Sequence, residues 1–344
     1  MVLFRILGGF VCRIMAQGEA IEHGYAKFGI VLIVWAVSGC ASLDPLPDRN
    51  AIRELDDTPF FPQIVHQCGP AALATVLAKA GLDTSAEALA PYVYLPQRQG
   101  SLQVELLATT RRFGYVPYPV TGGLGEVIAE IDAGRPVLVL QNLGVAWYPR
   151  WHYAVVVGYD GPRDEIVLRS GITRRHVVER SRFLRTWRRA SQWAFVALPP
   201  GVLPAQADAA RYFEANAALE ATGQVDVAEA GYLAMLARWP TSANARFGLG
   251  NLRFAQGALV AARTWFEQAI DVSGGGHSGA ANNLAMAWLA AGCAARAVGV
   301  VDRALAVASA ADPLYDNLQQ TRDEASAALN LAEDVCNADQ LQDE

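Results

Sequence analysis

Lysine is almost missing from this chain of 344 residues: Lys27 and Lys79 are the only two, and arginine supplies the remaining positive charge, a bias that reflects genome composition rather than function. Cationic charge is also outweighed, with 28 Lys and Arg against 34 Asp and Glu and a net charge of −6. That balance argues against nucleic acid as a partner, because phosphate binding needs a clustered cationic face that can release counterions. Paired cysteines are missing too. Cys12, Cys40, Cys68, Cys293 and Cys336 form an odd, scattered set without a CxxC pair, so neither a disulfide scaffold nor a zinc site is expected, and no metal or organic cofactor is indicated. Charged residues make up 18% of the chain and hydrophobic ones 52%, which excludes disorder over long internal segments. The length suggests two domains.

One stretch departs from the acidic balance. From Arg163 to Arg189 arginines are interleaved with hydrophobic residues. This reads mainly as solvated surface, with a patch for acidic substrate or anionic lipid as the alternative.

Near the start, Phe28 to Val37 is an apolar run of ten residues, too short to span a bilayer comfortably but as long as a signal-peptide core. It ends in Val37-Ser38-Gly39-Cys40, which resembles the bacterial lipobox, where small residues fit the signal peptidase and the cysteine is lipidated. An ordinary secretory signal, or a buried strand ending in cysteine, is the alternative. The expected layout is a signal peptide at 1–39, with an over-long start that also admits Met15, and a lipidated tether at 40–59 containing Pro45 and Pro47. The resemblance implies a protein of the bacterial cell envelope, held by Cys40 and facing the periplasm. Ala41 and Ser42 resemble outer-membrane sorting signals.

Residues 60–200 alternate helical and strand patterns. An extended segment ends at Gln67-Cys68-Gly69-Pro70, and an alanine-rich helix follows up to Gly81. Cys68 thus starts a helix, where the partial positive charge favours a thiolate. Thr84-Ser85-Ala86-Glu87 reads as a capping box. Ser101 is expected to cap a third helix that ends at Gly114, and a fourth spans 124–133. Strands are expected at 136–141, 152–159, 165–169 and 193–197. A helix bearing cysteine followed by a sheet bearing histidine is the order of a papain-like fold, with nucleophile and base meeting across a cleft.

FFPQIVHQCGPAALATVL, RPVLVLQNL and WHYAVVVGYD together resemble the bacteriocin-processing, double-glycine peptidase family and its stand-alone relatives, over residues 60–198. The resemblance implies Cys68 as nucleophile, His152 as general base and later general acid, and a glutamine before the cysteine as oxyanion-hole donor: Gln63, with Gln67 as the alternative. Where the family carries Asp-Pro this chain reads Leu168-Arg169-Ser170-Gly171. Ser170 is therefore the candidate that orients the imidazole, with Asp160 as the other. His66 and His176 are expected to be surface or structural residues. No transporter domain is present, so cleavage after double glycine is not carried over.

From Pro204 the chain becomes alanine-rich and strandless, with a period of about 34 residues. Gly223, Ala228 and Tyr232 recur as Gly257, Ala262 and Phe266 and again as Gly292, Ala297 and Val301. This spacing resembles tetratricopeptide repeats, in which small residues let paired helices approach. Repeats at 204–332, with a capping helix from Pro313 to about Ala332, precede an acidic tail at 333–344. Asn216, Asn251 and Asn283 recur in the first helices and line either a concave surface or a solvated face.

The expected fold is an α+β papain-like cysteine peptidase domain followed by an all-α tetratricopeptide-type helical repeat domain. The expected function is a membrane-anchored cysteine peptidase acting on a peptide or protein through a thioester, with the repeats recruiting substrate or a protein partner. A catalytically weak binding lipoprotein and a thiol acyltransferase are the alternatives.

Overall fold

Runs of β-branched and aromatic residues pair into a seven-stranded antiparallel sheet in the computed structural model, which describes residues 46, 48–63, 67–331 and 336. The expected signal peptide 1–39 with Cys12, the lipidation site Cys40, His66 and the tail 333–344 apart from Cys336 lie outside the described residues. In chain order the first half contains β1 (Ile52–Glu54), α1 (Cys68–Lys79), α2 (Ala86–Val93), α3 (Gln103–Arg112), β2 (Val116–Pro119), α4 (Gly123–Asp132), β3 (Val137–Asn142), β4 (Trp151–Asp160), β5 (Glu165–Ser170), β6 (Thr173–Glu179), α5 (Arg180–Arg188) and β7 (Ala194–Leu198). The strand order is β2-β7-β3-β4-β5-β6, and β1 joins the far end of β4 through Ile52 opposite Asp160.

β4 is central, and its alternation assigns the two faces. Tyr153, Val155 and Val157 pack under α1 with Leu73, Leu77, Leu138 and Phe195. Ala154 and Val156 face the other way, onto α4 and α5 through Ile128, Phe183 and Trp187. That second core does not stop at the sheet: it continues through Tyr212, Leu219, Tyr232 and Leu249 of the helical half. Arg211 seals the junction, donating to Pro119 O at 3.1 Å and to Glu126 Oε1 at 2.9 Å.

The helical half pairs α6 (Ala209–Glu220) with α7 (Val225–Arg238), α8 (Ala243–Ala255) with α9 (Leu259–Val272), and α10 (Ser278–Ala290) with α11 (Ala294–Val307), before α12 (Tyr315–Leu331). Gly223, Gly257 and Gly292 take φ of +78°, +77° and +75° in the three connections, a left-handed turn that glycine adopts without strain. Ala228, Ala262 and Ala297 are fully buried, as the repeat pattern requires. Among the described residues no helix is long and apolar enough to cross a membrane.

Three expectations need correction. Ser101 caps nothing: Leu102 is the N-cap of α3, without a side-chain hydrogen bond. The arginine-rich stretch, though it contains β6 and α5, is mainly solvated surface as expected; Arg169 departs from this at 4% exposed, donating to Arg174 O at 2.9 Å and to Leu55 O at 3.3 Å. Its aliphatic stem and these carbonyls make burial tolerable. Asn216 is buried rather than solvated, its amide donating to Tyr212 O at 2.7 Å. Asn283 donates to Asn251 at 2.9 Å, a link between successive repeats. Finally, Cys293 and Cys336 form a disulfide across a separation of 43 residues, Cys293 being the N-cap of α11, against which α12 packs.

Candidate active site

Cys68 is the first residue of α1, and Gln67 is its N-cap. Gly69 is required here: a Cβ would come within 2.2 Å of Ser101 Oγ, since the loop before α3 closes over the helix start. His152 is the second residue of β4, paired with Gln141 of β3. Gln141 is 4% exposed and its amide donates to Thr186 of α5 at 2.7 Å, which fixes the strand end on which the imidazole stands.

A cavity of about 540 Å³ opens at this end of the sheet, lined by Gln63, Cys68, Ser101, Trp151, His152 and Tyr153 among others. The cysteine, the histidine and Gln63 are thus brought to one cleft. His152 Nε2 lies 2.8 Å from Ser170 Oγ, at the end of β5. On that side a second cavity of about 400 Å³ contains Ser170, Thr186 and His176, the last exposed on β6. Gln63 is held twice, its backbone N–H donating to Gly171 O at 3.0 Å and its amide to Tyr153 O at 3.2 Å. The amide's second hydrogen remains for a further acceptor.

The alternatives fare differently. Gln67 does not line the cleft. Asp160 closes the opposite end of β4, eight residues from His152 or roughly 26 Å away at the usual rise per residue. There it accepts from Arg163 N at 3.0 Å and from Arg163 NH1 at 2.9 Å, so it orients a turn and not the imidazole.

Burial dominates the electrostatics. It pushes the Cys68 thiol up, against the backbone N–H groups of Tyr153, Gly69 and Cys68 itself that favour the thiolate. The expectation of a thiolate poised by the helix terminus is therefore corrected: desolvation outweighs the terminal partial charge. Burial, then the nearby His176, lowers His152 to about 4. Both groups are neutral at pH 7. Ser101 was not recognised from sequence as part of this site; its hydroxyl oxygen is buried without a partner and its carbonyl accepts from Tyr153 OH at 3.2 Å. Only the close packing against Gly69 reveals it. Among the described residues no group of three or more His, Cys, Asp or Glu could hold a metal ion.

Comparison with known proteins agrees on the first half. Residues 55–195 match the Peptidase_C39 like family. Solved structures that match include a Bacillus anthracis protein described as a C39-like peptidase, 17% identical, covering 43% of this chain and 98% of the other with a TM-score of 0.37. The peptidase domain of Streptococcus ComA, a bifunctional ABC transporter of a quorum-sensing pathway, matches at 19% identity over 41% of this chain and 98% of its own, TM-score 0.34. The TPR2B domain of yeast Sti1 in its pHsp70 complex matches at 17% identity over 35% of this chain and 96% of its own, TM-score 0.32. No curated protein matches. The sheet, the cysteine-bearing helix and the family match fall on the same residues, and residues 55–195 of this chain are similar to the Peptidase_C39 like family.

Proposed function

We propose that the domain is a cysteine peptidase, with Cys68 as nucleophile, His152 as base, Ser170 as the group that orients the imidazole, and Gln63 with the Cys68 N–H as oxyanion donors. Because thiol and imidazole are both neutral at rest, His152 takes the thiol proton as sulfur attacks the carbonyl carbon. The charge that develops on the carbonyl oxygen is met by the two N–H groups. Collapse breaks the C–N bond, and the amine leaves with the proton from His152. Water, deprotonated by His152, then cleaves the thioester and restores the thiol.

The observation that carries this reading is the 2.8 Å contact of His152 Nε2 with Ser170 Oγ, which leaves Nδ1 for the cleft that Cys68 also lines. A hydroxyl donates as well as accepts, so it selects the tautomer less firmly than a carboxylate, which only accepts. That difference favours a second reading, a catalytically weak lipoprotein that binds peptides. An amine that intercepts the thioester would make the same site an acyltransferase.

In this proposal Cys40 carries the lipid anchor, the protein faces the periplasm from the outer membrane, and helices α6–α12 recruit the substrate or a protein partner. The Cys293–Cys336 disulfide supports an oxidising compartment. The test is digestion of a peptide library by residues 44–344, a single compact unit, with new termini identified by mass spectrometry. Cleavage by the parent and not by Cys68→Ala supports the peptidase. Saturable peptide binding without cleavage supports the second reading. Incorporation of labelled palmitate into the full chain, abolished by Cys40→Ala, tests the anchor.

A further inference from the structure

The end of the sheet that holds the cleft carries apolar side chains that nothing in the described structure covers. On the connection from β3 to β4, Trp147 is 85% exposed, Tyr148 67% and Leu143 50%, and Trp151, the first residue of β4, is 56% exposed; on the turn from β5 to β6, Ile172 is 82% exposed. β3 with β4, β4 with β5 and β5 with β6 are antiparallel pairs, so the β3–β4 connection and the β5–β6 turn leave the sheet at the same end.

The larger tip is built to hold its shape. Val145 and Tyr148 exchange backbone hydrogen bonds at 3.2 Å, and Asn142, 2% exposed, accepts from Gly144 N at 2.9 Å and Arg150 N at 3.0 Å. Gly144 cannot carry a side chain, since a Cβ would lie 2.3 Å from Tyr148 O. Arg189 of the arginine-rich stretch donates to Gly144 O and ties the tip to the end of α5. The chain therefore orders a hairpin whose two aromatic rings face solvent, an arrangement with no packing function of its own.

Charge on the tips has one sign. Residues 143–150 and 171–176 contain Arg150, Arg174 and Arg175 and no acidic residue; Arg175 is compensated by Glu54 at 2.9 Å. Trp151 lines the cleft and Leu143 and Ile172 line the cavity on the Ser170 side, whereas Trp147 and Tyr148, the two most exposed rings of the tip, line neither, which leaves them to meet a surface rather than a peptide held in the cleft. We propose that the hairpin tips dock this end of the sheet onto an anionic phospholipid surface, Trp147 and Tyr148 entering the interfacial layer while Arg150 and Arg174 meet phosphate groups. The chain enters the sheet at the other end of β4, where Ile52 pairs with Asp160. Docking at the tips would open the cleft at the lipid surface, since tips and cleft share one end of the sheet.

The test is co-sedimentation of residues 44–344 with vesicles of phosphatidylglycerol and phosphatidylcholine in equal amounts, and with phosphatidylcholine alone. The parent and Cys68→Ala should sediment alike with the anionic vesicles, which keeps docking separate from hydrolysis. Trp147→Ser combined with Tyr148→Ser should weaken binding by about ten-fold or more, as expected for lost interfacial anchors. Arg150→Gln combined with Arg174→Gln should remove most of the preference for anionic vesicles. Leu331→Ser, which alters a residue of similar exposure on α12, should change nothing, and all variants should melt with the parent. Absence of sedimentation with either vesicle, or binding undiminished in the aromatic double variant, overturns the proposal. So does a double variant whose only defect is a raised KM for a soluble peptide, which would make the tips a wall of the substrate cleft.

Discussion

In the helical half, Tyr232 is fully buried with its hydroxyl 2.6 Å from Glu220, and Asn283 reaches Asn251 across the repeat boundary. In the sheet half, Cys68 and His152 sit partly buried at the open end of the sheet, and among the described residues the imidazole has Ser170 as its hydrogen-bond partner. Both halves place polar groups beside apolar cores, but with opposite consequences. Where partners meet inside the stack, the network fixes the register of the helices. Where burial removes water from a thiol and an imidazole without supplying a counter-charge, both become neutral and the free energy stays available for reaction with a substrate.

The sharpest break of this comparison is Cys68→Ala. Peptide cleavage should fall by about a thousand-fold or more while the melting temperature stays that of the parent, measured by product release and calorimetry. In the helical half the order reverses, with stability lost and the site kept. Cys293→Ser, which removes the disulfide, should cost about 2–4 kcal/mol in denaturant unfolding and leave KM unchanged at low temperature. Gly248→Ala would drive a Cβ to 2.4 Å from the Tyr232 ring and should cost about 1–3 kcal/mol. Because Tyr232 and Leu249 share a core with Val156 and Trp187 of the sheet half, the loss should appear as one earlier transition and not as separate melting of the repeats.

A smaller effect, about ten-fold in kcat, is expected for Ser170→Ala, which deletes one neutral hydrogen bond to the imidazole. Ser170→Asp should instead raise the His152 pKa and move the acid limb of the rate profile toward neutrality. The smallest change is that of the parent between pH 7 and pH 5. With His152 at about 4 its base form persists, so kcat/KM should be nearly flat there and fall only near pH 4. Stability follows the same group: the unfolded imidazole takes up its proton near its ordinary value of 6.5 and the folded one only near 4. Stability from this residue is complete above that ordinary value and declines as pH falls through the window between the two.

Much of the architecture was legible because it is local. The alanine-rich run after Pro70 gives α1, β-branched runs give β3, β4 and β5, and three glycines at repeat spacing mark the turns between paired helices. What escaped has physical causes. β2 reads Val-Pro-Tyr-Pro, and two prolines argue against a strand unless it lies at a sheet edge, as β2 does. β6 is the opposite edge, mostly exposed and rich in arginine. α5 hides Phe183, Leu184 and Trp187 among arginines whose charge masks its buried face. The pairing of Cys293 with Cys336 has no local signature at all.

By itself the sequence determined the elements that carry the candidate site and the chemical types there: a cysteine at a helix start, a histidine at a strand start, glutamines before the first and a serine after the second. Local propensity, capping and periodicity act within a few residues and are written in the order of the chain. Only the tertiary structure decided which of those residues meet. Strand register set Ser170 beside His152 and sent Asp160 to the far end of β4, and chain closure brought Gln63 rather than Gln67 to the cleft. It also decided that Cys68 and His152 are neutral, because desolvation depends on everything packed around a group and not on its neighbours in sequence.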